Sequence, residues 1–136
     1  MADPKLEEAA LATIDVIRKA CAAAGFPSAI AIVDDHGDIV AALRMDGCRP
    51  RWMRASLRKA YTAAVWDRDT SEFHKARTER QAEIADFPEP YTGLPGGLNV
   101  AIDGETVAGI GVTGKGPDIE LGRQGVAFLI ERLKKK

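Results

Sequence analysis

Seven glycines crowd the segment from Leu94 to Asp118, LPGGLNVAIDGETVAGIGVTGKGPD, which is twenty-five residues long. Its two apolar runs flank Asp103-Gly104, a dipeptide typical of a tight β-hairpin turn. Glycine within a strand allows another backbone or a flat ligand to come close to the sheet. The segment therefore predicts a hairpin that a helix, a second subunit or a ligand approaches closely, and its composition favours packing over a ligand pocket.

Three of these glycines, Gly109, Gly111 and Gly114, have the GxGxxG spacing of a dinucleotide-binding loop. Such a loop needs its glycines between the end of a strand and the start of a helix, where backbone N–H groups converge on the phosphate. Gly109 and Gly111 lie instead inside an apolar run. The sequence shows no βαβ pattern, and no acidic residue about 20 positions further on completes the site. The sequence therefore argues against nucleotide binding.

The remaining periodicities predict a single α+β domain over residues 1–136. A helix is expected from Leu6 to Ala24, ended by Gly25 and with Asp3 as a candidate N-cap. A first hairpin turns at Gly37, two helical patterns follow it, and a third closes the chain after the glycine-rich hairpin. The predicted order is α-β-β-α-α-β-β-α, in which two hairpins join into one antiparallel sheet flanked by helices.

The overall composition limits the classes of function. Apolar residues make up 46% and charged residues 29% of the chain, as in an ordinary soluble domain, and the formal net charge is −1. We expect no nucleic-acid partner and no membrane association. The N-terminal residues lack the apolar core of a signal peptide, which favours a cytoplasmic location. Cys21 and Cys48 suggest neither a disulfide framework nor a metal site.

Lys59 and three aspartates are the candidates for acid–base chemistry. Asp34 and Asp46 end the two strands of the first predicted hairpin, Asp118 begins the last helix, and Lys59 lies in the most apolar part of the second helix. Together these groups could transfer protons. Separately, the aspartates would serve a turn, a loop and a helix cap. No serine or cysteine has a credible base partner, so hydrolase triad chemistry is not supported.

Arginines form a cluster in which the charges are all positive. Arg51, Arg54 and Arg58 share a helical face, and no acidic residue occurs between Cys48 and Trp66. These arginines form either a solvated basic face or a site for carboxylates or another anion. The aromatic residues are too few and too scattered for a nucleic-acid platform.

The two histidines, His36 and His74, are both expected at the surface. Neither has a second His or Cys at ligand spacing, which argues against a zinc site. A heme iron, however, needs only one or two protein donors, so His74 alone could serve as its ligand.

Four sequence blocks occur in a specific order: AIAIVDDHGDIVAALRMDG, RKAYTAAVWDRDTSEF, LPGGLNVAIDGETVAGIGVTG and PDIELGRQGVAFL. They resemble the GlcG/HbpS-like family, also called the heme-degrading or heme-binding domain, and the resemblance extends from Leu6 to Leu133. It implies a profilin-like α/β sandwich that assembles into homo-oligomers, from dimers to octamers. A partner subunit would then cover the second helix, whose sequence is apolar on several faces.

The resemblance also implies a small-molecule ligand, with heme as the cofactor to consider. The candidate ligand-binding residues combine recurrent family positions with two arginines of the basic cluster: Asp34, Arg44, Arg51, Arg54, Gly96, Gly97, Gly111, Gly114 and Asp118. Lys59 and Asp46 are the candidate catalytic residues, and His74 is the candidate heme ligand. The pocket would lie between the glycine-rich strand, the LPGG loop and the helix that carries Lys59.

Three functions follow from these patterns. The first is a binding protein for heme or a related tetrapyrrole, in which arginines pair with the propionates. The second is an enzyme that acts on a small carboxylated metabolite, with Lys59 or Asp46 as acid or base. The stretch CRPRWMRAS, bulkier and more basic than is usual for the family, favours this second function over the family average. The third is a non-catalytic homo-oligomeric assembly module in which every glycine serves packing.

Overall fold

The computed structural model describes residues 5–79 and 91–135. In these ranges the elements follow the predicted order: α1 (Leu6–Ala24), β1 (Ala29–Asp34), β2 (Ile39–Arg44), α2 (Pro50–Val65), α3 (Thr70–Glu79), β3 (Gly97–Ile102), β4 (Glu105–Thr113) and α4 (Asp118–Lys134). The α+β prediction is therefore confirmed. The suggested N-cap Asp3 lies outside the described residues, and so does the C-terminal part of the second helical pattern after the first hairpin, residues 80–87.

Local turn signals account for the ends of several elements. Gly25 ends α1 in the left-handed conformation, and the N–H groups of Gly25 and Phe26 donate to carbonyls of the last helical turn. Gly37 has a φ of 87°, as the first hairpin requires. Asp103 and Gly104 both have positive φ, 53° and 81°, which is typical of the tight hairpin turn between β3 and β4.

The two hairpins join through their inner strands, so that the sheet order is β2-β1-β4-β3 with every neighbouring pair antiparallel. Ile30 pairs with Val112 and Ile32 pairs with Ile110 across the β1–β4 contact. These four side chains are fully buried. The central pair of strands therefore carries the hydrophobic core.

Alternation of side chains along the strands gives the sheet two different faces. Ile30, Ile32 and Ile110 belong to a large core with residues of α1 and α4. Ala31 and Val33 point the other way and pack with small residues of α2. The result is a three-layer sandwich with α1 and α4 on one face and α2 on the other.

The glycines on the α2 face allow backbone-to-backbone contact. A Cβ added at Gly111 would overlap the carbonyl oxygen of Ser56, and one at Gly109 would overlap that of Ala60. A Cβ at Gly97 would lie 2.5 Å from the carbonyl oxygen of Lys59. The packing interpretation of these glycines is confirmed, because α2 lies directly on β3 and β4.

Two further expectations concern the cysteines and the membrane. Cys21 and Cys48 are free and buried, and burial raises the pKa of both thiols. Across the described part of the chain, no helix combines the length and the apolar character needed to cross a bilayer.

Gly111→Ala tests the contact between α2 and the sheet. Since φ at Gly111 suits any residue, the cost is purely steric, and we expect a loss of about 3 kcal/mol in the free energy of unfolding. Gly104→Ala is the control, because its new Cβ meets open space and only the left-handed backbone costs about 1 kcal/mol. Urea unfolding measures both. A Gly111→Ala variant as stable as the control would contradict close packing at this position.

Candidate functional site

Lys59 and Asp118 form a buried charge pair between α2 and the start of α4. The ammonium nitrogen Nζ of Lys59 lies 3.7 Å from Oδ2 of Asp118 and donates a hydrogen bond of 2.9 Å to the carbonyl of Val112. Only 4% of the Lys59 side chain and 15% of the Asp118 side chain are exposed. The fold therefore brings together two of the predicted site residues that are 59 positions apart.

Burial shifts the protonation equilibria of both groups toward their neutral forms. It lowers the pKa of Lys59 below the ordinary value of 10.5, and the nearby Asp118 opposes this only in part. Burial also raises the pKa of Asp118 above 3.8, against the opposing effects of Lys59 and of the Gly114 N–H, which donates to Oδ2 at 3.3 Å. The other carboxyl oxygen, Oδ1, is buried and has no hydrogen-bond partner among the described residues. Such a pair is chemically suited to proton transfer.

Gly96 fits closely against this pair. Its φ is +113°, and an added Cβ would lie 2.5 Å from the Val112 carbonyl oxygen and 3.0 Å from Nζ of Lys59. Next to it, Pro95 and the residues 116–120 line a pocket of about 300 Å³, with Asp118 in its wall. Asp118 therefore connects this surface pocket, called here the Asp118 pocket, to the buried amine.

Two buried threonines hold the LPGG segment in place. The Thr70 hydroxyl donates to the Leu94 carbonyl at 2.6 Å and accepts from the Gly97 N–H at 3.0 Å. The Thr62 hydroxyl of α2 accepts from the Thr92 N–H at 3.0 Å. The sequence interpretation did not assign this tethering role to either residue. A threonine in an otherwise apolar, alanine-rich stretch was the available signal for Thr62.

A second concave surface, the arginine groove, lies between α2 and the other end of the same segment. It measures about 270 Å³ and is lined by Arg51, Arg54, Ala55, Arg58, Thr92 and Leu94. The three arginines are exposed, and within residues 5–79 and 91–135 none of them forms an ion pair. The predicted shared face is therefore a continuous basic wall.

The position of these arginines on α2 is electrostatically unfavourable. Pro50 starts the helix, Arg51 follows it, and no acidic residue occupies the first turn. The N-terminal end of a helix carries partial positive charge, and like charges four residues apart repel each other, as for Arg54 and Arg58. An anion bound in the arginine groove would relieve both effects.

His74 lies on α3, exposed, against the same segment. A Cβ at Gly93 would lie 2.8 Å from the Cβ and 3.0 Å from Nδ1 of His74. Gly93 stands between Thr92 and Leu94, which are the two lining residues that this segment contributes to the arginine groove. His74 is therefore a neighbour of the groove but is not among its lining residues.

Asp34, Arg44 and Asp46 lie elsewhere. The Asp34 carboxylate accepts the N–H groups of His36 at 2.9 Å and Asp38 at 3.0 Å, so it organises the first hairpin turn. Asp34 pairs with Ala108, four residues along β4 from Val112, which places it about 13 Å from the Lys59 contact.

Arg44 and Asp46 flank the connection from β2 to α2. Arg44 donates to the Cys48 carbonyl at 2.7 Å, which holds this connection in shape. Asp46 is exposed, and it forms neither a hydrogen bond nor an ion pair in the part of the chain that the structure describes. Lys59 thus contacts Asp118 and not Asp46. In the same part of the chain no group of three or more His, Cys, Asp or Glu side chains could hold a metal ion.

The remaining candidate glycines lie around the charge pair. Gly97 and Gly111 face the backbone of α2, as described above, and Gly96 contacts Lys59. Gly114 packs against the side chain of Ser28 and donates its N–H to Asp118. These glycines shape the surroundings of the pair.

Comparison with protein families decides the family of this chain. The family model described as "Haem degrading protein HbpS-like" matches residues 6–121, which is most of the chain. The chain belongs to the HbpS-like family. Protein GlcG of Escherichia coli strain K12 is 34% identical over 84 residues, and the matched segment spans only 62% of this chain and 62% of GlcG.

Solved structures agree with this HbpS-like assignment. A double mutant of HbpS from Streptomyces reticuli is 32% identical, with a TM-score of 0.79 over 95% of this chain and 86% of HbpS. A PduOC:heme complex has a TM-score of 0.78 over 89% of this chain and 91% of PduOC. At 18% identity, that second likeness shows the fold alone.

Removing one member of the Lys59–Asp118 pair should destabilise the protein. In Asp118→Asn the buried cation loses its countercharge, and we expect the free energy of unfolding to fall by about 3 kcal/mol at neutral pH. The double variant Lys59→Met/Asp118→Asn should lose less stability than the sum of the losses of Lys59→Met and Asp118→Asn measured separately. Asp46→Asn is the exposed control and should stay within about 0.5 kcal/mol of the wild type. Additive losses in a double-mutant cycle by urea unfolding would contradict coupling.

The Asp118→Asn deficit should also depend on pH. Between the lowered pKa of Lys59 and 10.5, the unfolded chain binds the proton and the folded chain does not, so stability rises with pH in this window. Without Asp118 the pKa of Lys59 falls further. The stability of the variant therefore begins to rise at a lower pH than that of the wild type, so the deficit should narrow as the pH rises from neutral. A constant deficit would contradict a charged Lys59 as its cause.

Proposed function

We propose that this HbpS-like chain binds an anionic tetrapyrrole of the heme class at the arginine groove. The observation that carries the proposal is the row of three arginines on one face of α2, exposed and without ion pairs in the described part of the chain. The first of them, Arg51, lies at the positive end of the helix. Guanidinium groups match carboxylates in a planar, two-hydrogen-bond geometry. Family membership supports the choice of a tetrapyrrole, whose propionates would supply the carboxylates.

The dimensions of the groove fit one edge of such a ligand. At about 270 Å³ it is smaller than the pockets of roughly 300–1,000 Å³ that enclose whole small molecules. Ala55 and Leu94 offer apolar contacts beside the guanidinium groups. The carboxylate-bearing edge would lie in the groove, and the rest of the macrocycle would extend over the surface.

His74 is the proposed iron ligand if the macrocycle carries iron. Its contact with Gly93 brings it next to the segment that walls the groove. An imidazole nitrogen is a common axial donor, and bound heme would supply redox-active iron at this face. The role of His74 is separate from that of the arginines, which concerns only the carboxylates.

We also propose a homo-oligomer, between dimer and octamer, as the working form. Trp52, Met53, Leu57 and Tyr61 of α2 remain partly exposed on a monomer. A second subunit would cover such surface. Should no ligand bind, this assembly itself would be the function.

Hemin titration, followed by visible absorption, tests the proposed function. We expect a saturable Soret change for the wild type and about tenfold weaker binding for Arg51→Gln/Arg54→Gln, because two charge-assisted contacts are lost. Arg132→Gln, an exposed arginine of α4, is the matched control and should bind like the wild type. His74→Ala should shift the Soret maximum of the complex. Hemin uptake that does not saturate, or that is equal in all variants, would mean adsorption and not a site.

A second candidate function is favoured by the Lys59–Asp118 pair beside the Asp118 pocket. An amine with a lowered pKa is a suitable base, and Asp118 could return the proton. In this case the chain would be an enzyme acting on a small carboxylated metabolite with an acidic C–H bond. Asp118 would take the place that the sequence interpretation gave to Asp46.

Hydrogen–deuterium exchange at carbon tests this activity without knowledge of the product. Small keto acids would be incubated with the protein in D₂O and followed by proton NMR. We expect exchange that Lys59→Met reduces at least about a hundredfold and that Asp46→Asn leaves unchanged. Exchange that survives Lys59→Met would remove Lys59 from the proposed chemistry.

A further inference from the structure

The lining of the arginine groove contains no good ligand for iron among the described residues. It consists of three guanidinium groups, the hydrocarbon side chains of Ala55 and Leu94, and the hydroxyl of Thr92. That hydroxyl already accepts a hydrogen bond of 3.2 Å from the Leu94 N–H. The groove thus offers strong donors for carboxylates and apolar surface, but no imidazole, thiolate, thioether or phenolate.

The spacing of the arginines favours two carboxylates over one. Arg51, Arg54 and Arg58 are separated by three and four residues, so that they follow one stripe of α2 about 10 Å long. A single carboxylate can pair with one guanidinium fork and approach a second. The rest of the stripe would then keep its uncompensated charge.

The electrostatic state of α2 favours the binding of these carboxylates. Arg51 and Arg54 lie in the first two turns of the helix, whose first turn has no acidic residue, and Arg58 lies near its middle. Two anionic groups would offset both the mutual repulsion of the arginines and their interaction with the helix dipole. Ala55, Leu94 and the hydrocarbon stems of the arginines supply apolar surface beside these charges.

We propose that the arginine groove recognises the paired carboxylates of its ligand and not the metal, so that it binds dicarboxylic tetrapyrroles with or without iron. This inference rests on the proposed function and specifies its ligand class. His74, which lies close to Gly93 and is not among the lining residues, then affects the spectrum of an iron-containing complex more than its affinity.

Three probes separate the contribution of the iron to binding from that of the carboxylates: hemin, iron-free protoporphyrin IX and protoporphyrin IX dimethyl ester, in which both carboxylates are masked. Binding is followed by porphyrin absorption and emission with the full chain. We expect protoporphyrin IX to bind within about threefold of hemin, and the dimethyl ester at least about tenfold more weakly than the free diacid. Raising the salt concentration should weaken the binding of the two diacids and leave the binding of the ester unaffected.

The arginine variants complete the design. Arg51→Gln/Arg54→Gln should lower the affinity for both diacids to about that of the ester, with no effect on the ester, and Arg132→Gln should change none of the three. Circular dichroism and urea midpoints verify folding. If the double variant fails to fold, the comparison of free acid with ester on the wild type still decides.

The possible results are distinguishable. Hemin binding without protoporphyrin IX binding would overturn the inference and leave the proposed function intact. Equal binding of ester and diacid would also overturn it, in favour of apolar stacking. Absence of binding by both diacids would overturn the proposed function itself, and the inference with it.

Discussion

The contact between the backbone of α2 and strand β4 determines where both concave surfaces lie. The backbones of Ser56 and Ala60 contact Gly111 and Gly109 with no side chain between them. This contact fixes both the distance of α2 from the sheet and the rotation of α2 about its own axis. At 100° per residue, Arg54 and Arg58 are turned about 200° from Ser56 and Ala60 and must face away from the sheet. Glycine on β4 therefore fixes the arginine groove as firmly as it fixes the core.

The same contact explains how a lysine can be buried here. Lys59 immediately precedes Ala60 and reaches along the sheet to the Val112 carbonyl, where Gly96 leaves room for its ammonium group. Asp118 meets it from the first turn of α4, a position where a carboxylate is favoured by the helix dipole. An interior this closely packed would accommodate an apolar residue at lower cost. Concentration of such costly features in one region is typical of a functional site.

The sequence predicted those features that depend on neighbouring residues. The left-handed Gly25 and the turn at Asp103-Gly104 are local signals with a single physical interpretation, and the structure contains them. The strand glycines predicted a close approach but did not identify α2 as the neighbour. The partner of Lys59 could not be predicted in this way. The sequence predicts that Asp34, Asp46 and Asp118 all end or begin an element, although β2 in fact ends at Arg44. Only the packing of α2 against β4 and the start of α4 decides which of the three is near Lys59.

The segment from Thr92 to Gly97 links the two surfaces physically. Leu94 walls the arginine groove and Pro95 walls the Asp118 pocket, so adjacent residues belong to different concavities. The buried hydroxyl groups of Thr62 and Thr70 hold this segment to α2 and α3. That of Thr62 accepts from the Thr92 N–H, and that of Thr70 donates to the Leu94 carbonyl. A ligand that moves Leu94 must therefore move Pro95 or break one of these bonds. If a ligand displaced this segment, the two surfaces would be coupled, and each ligand would then change the affinity of the other by the same factor.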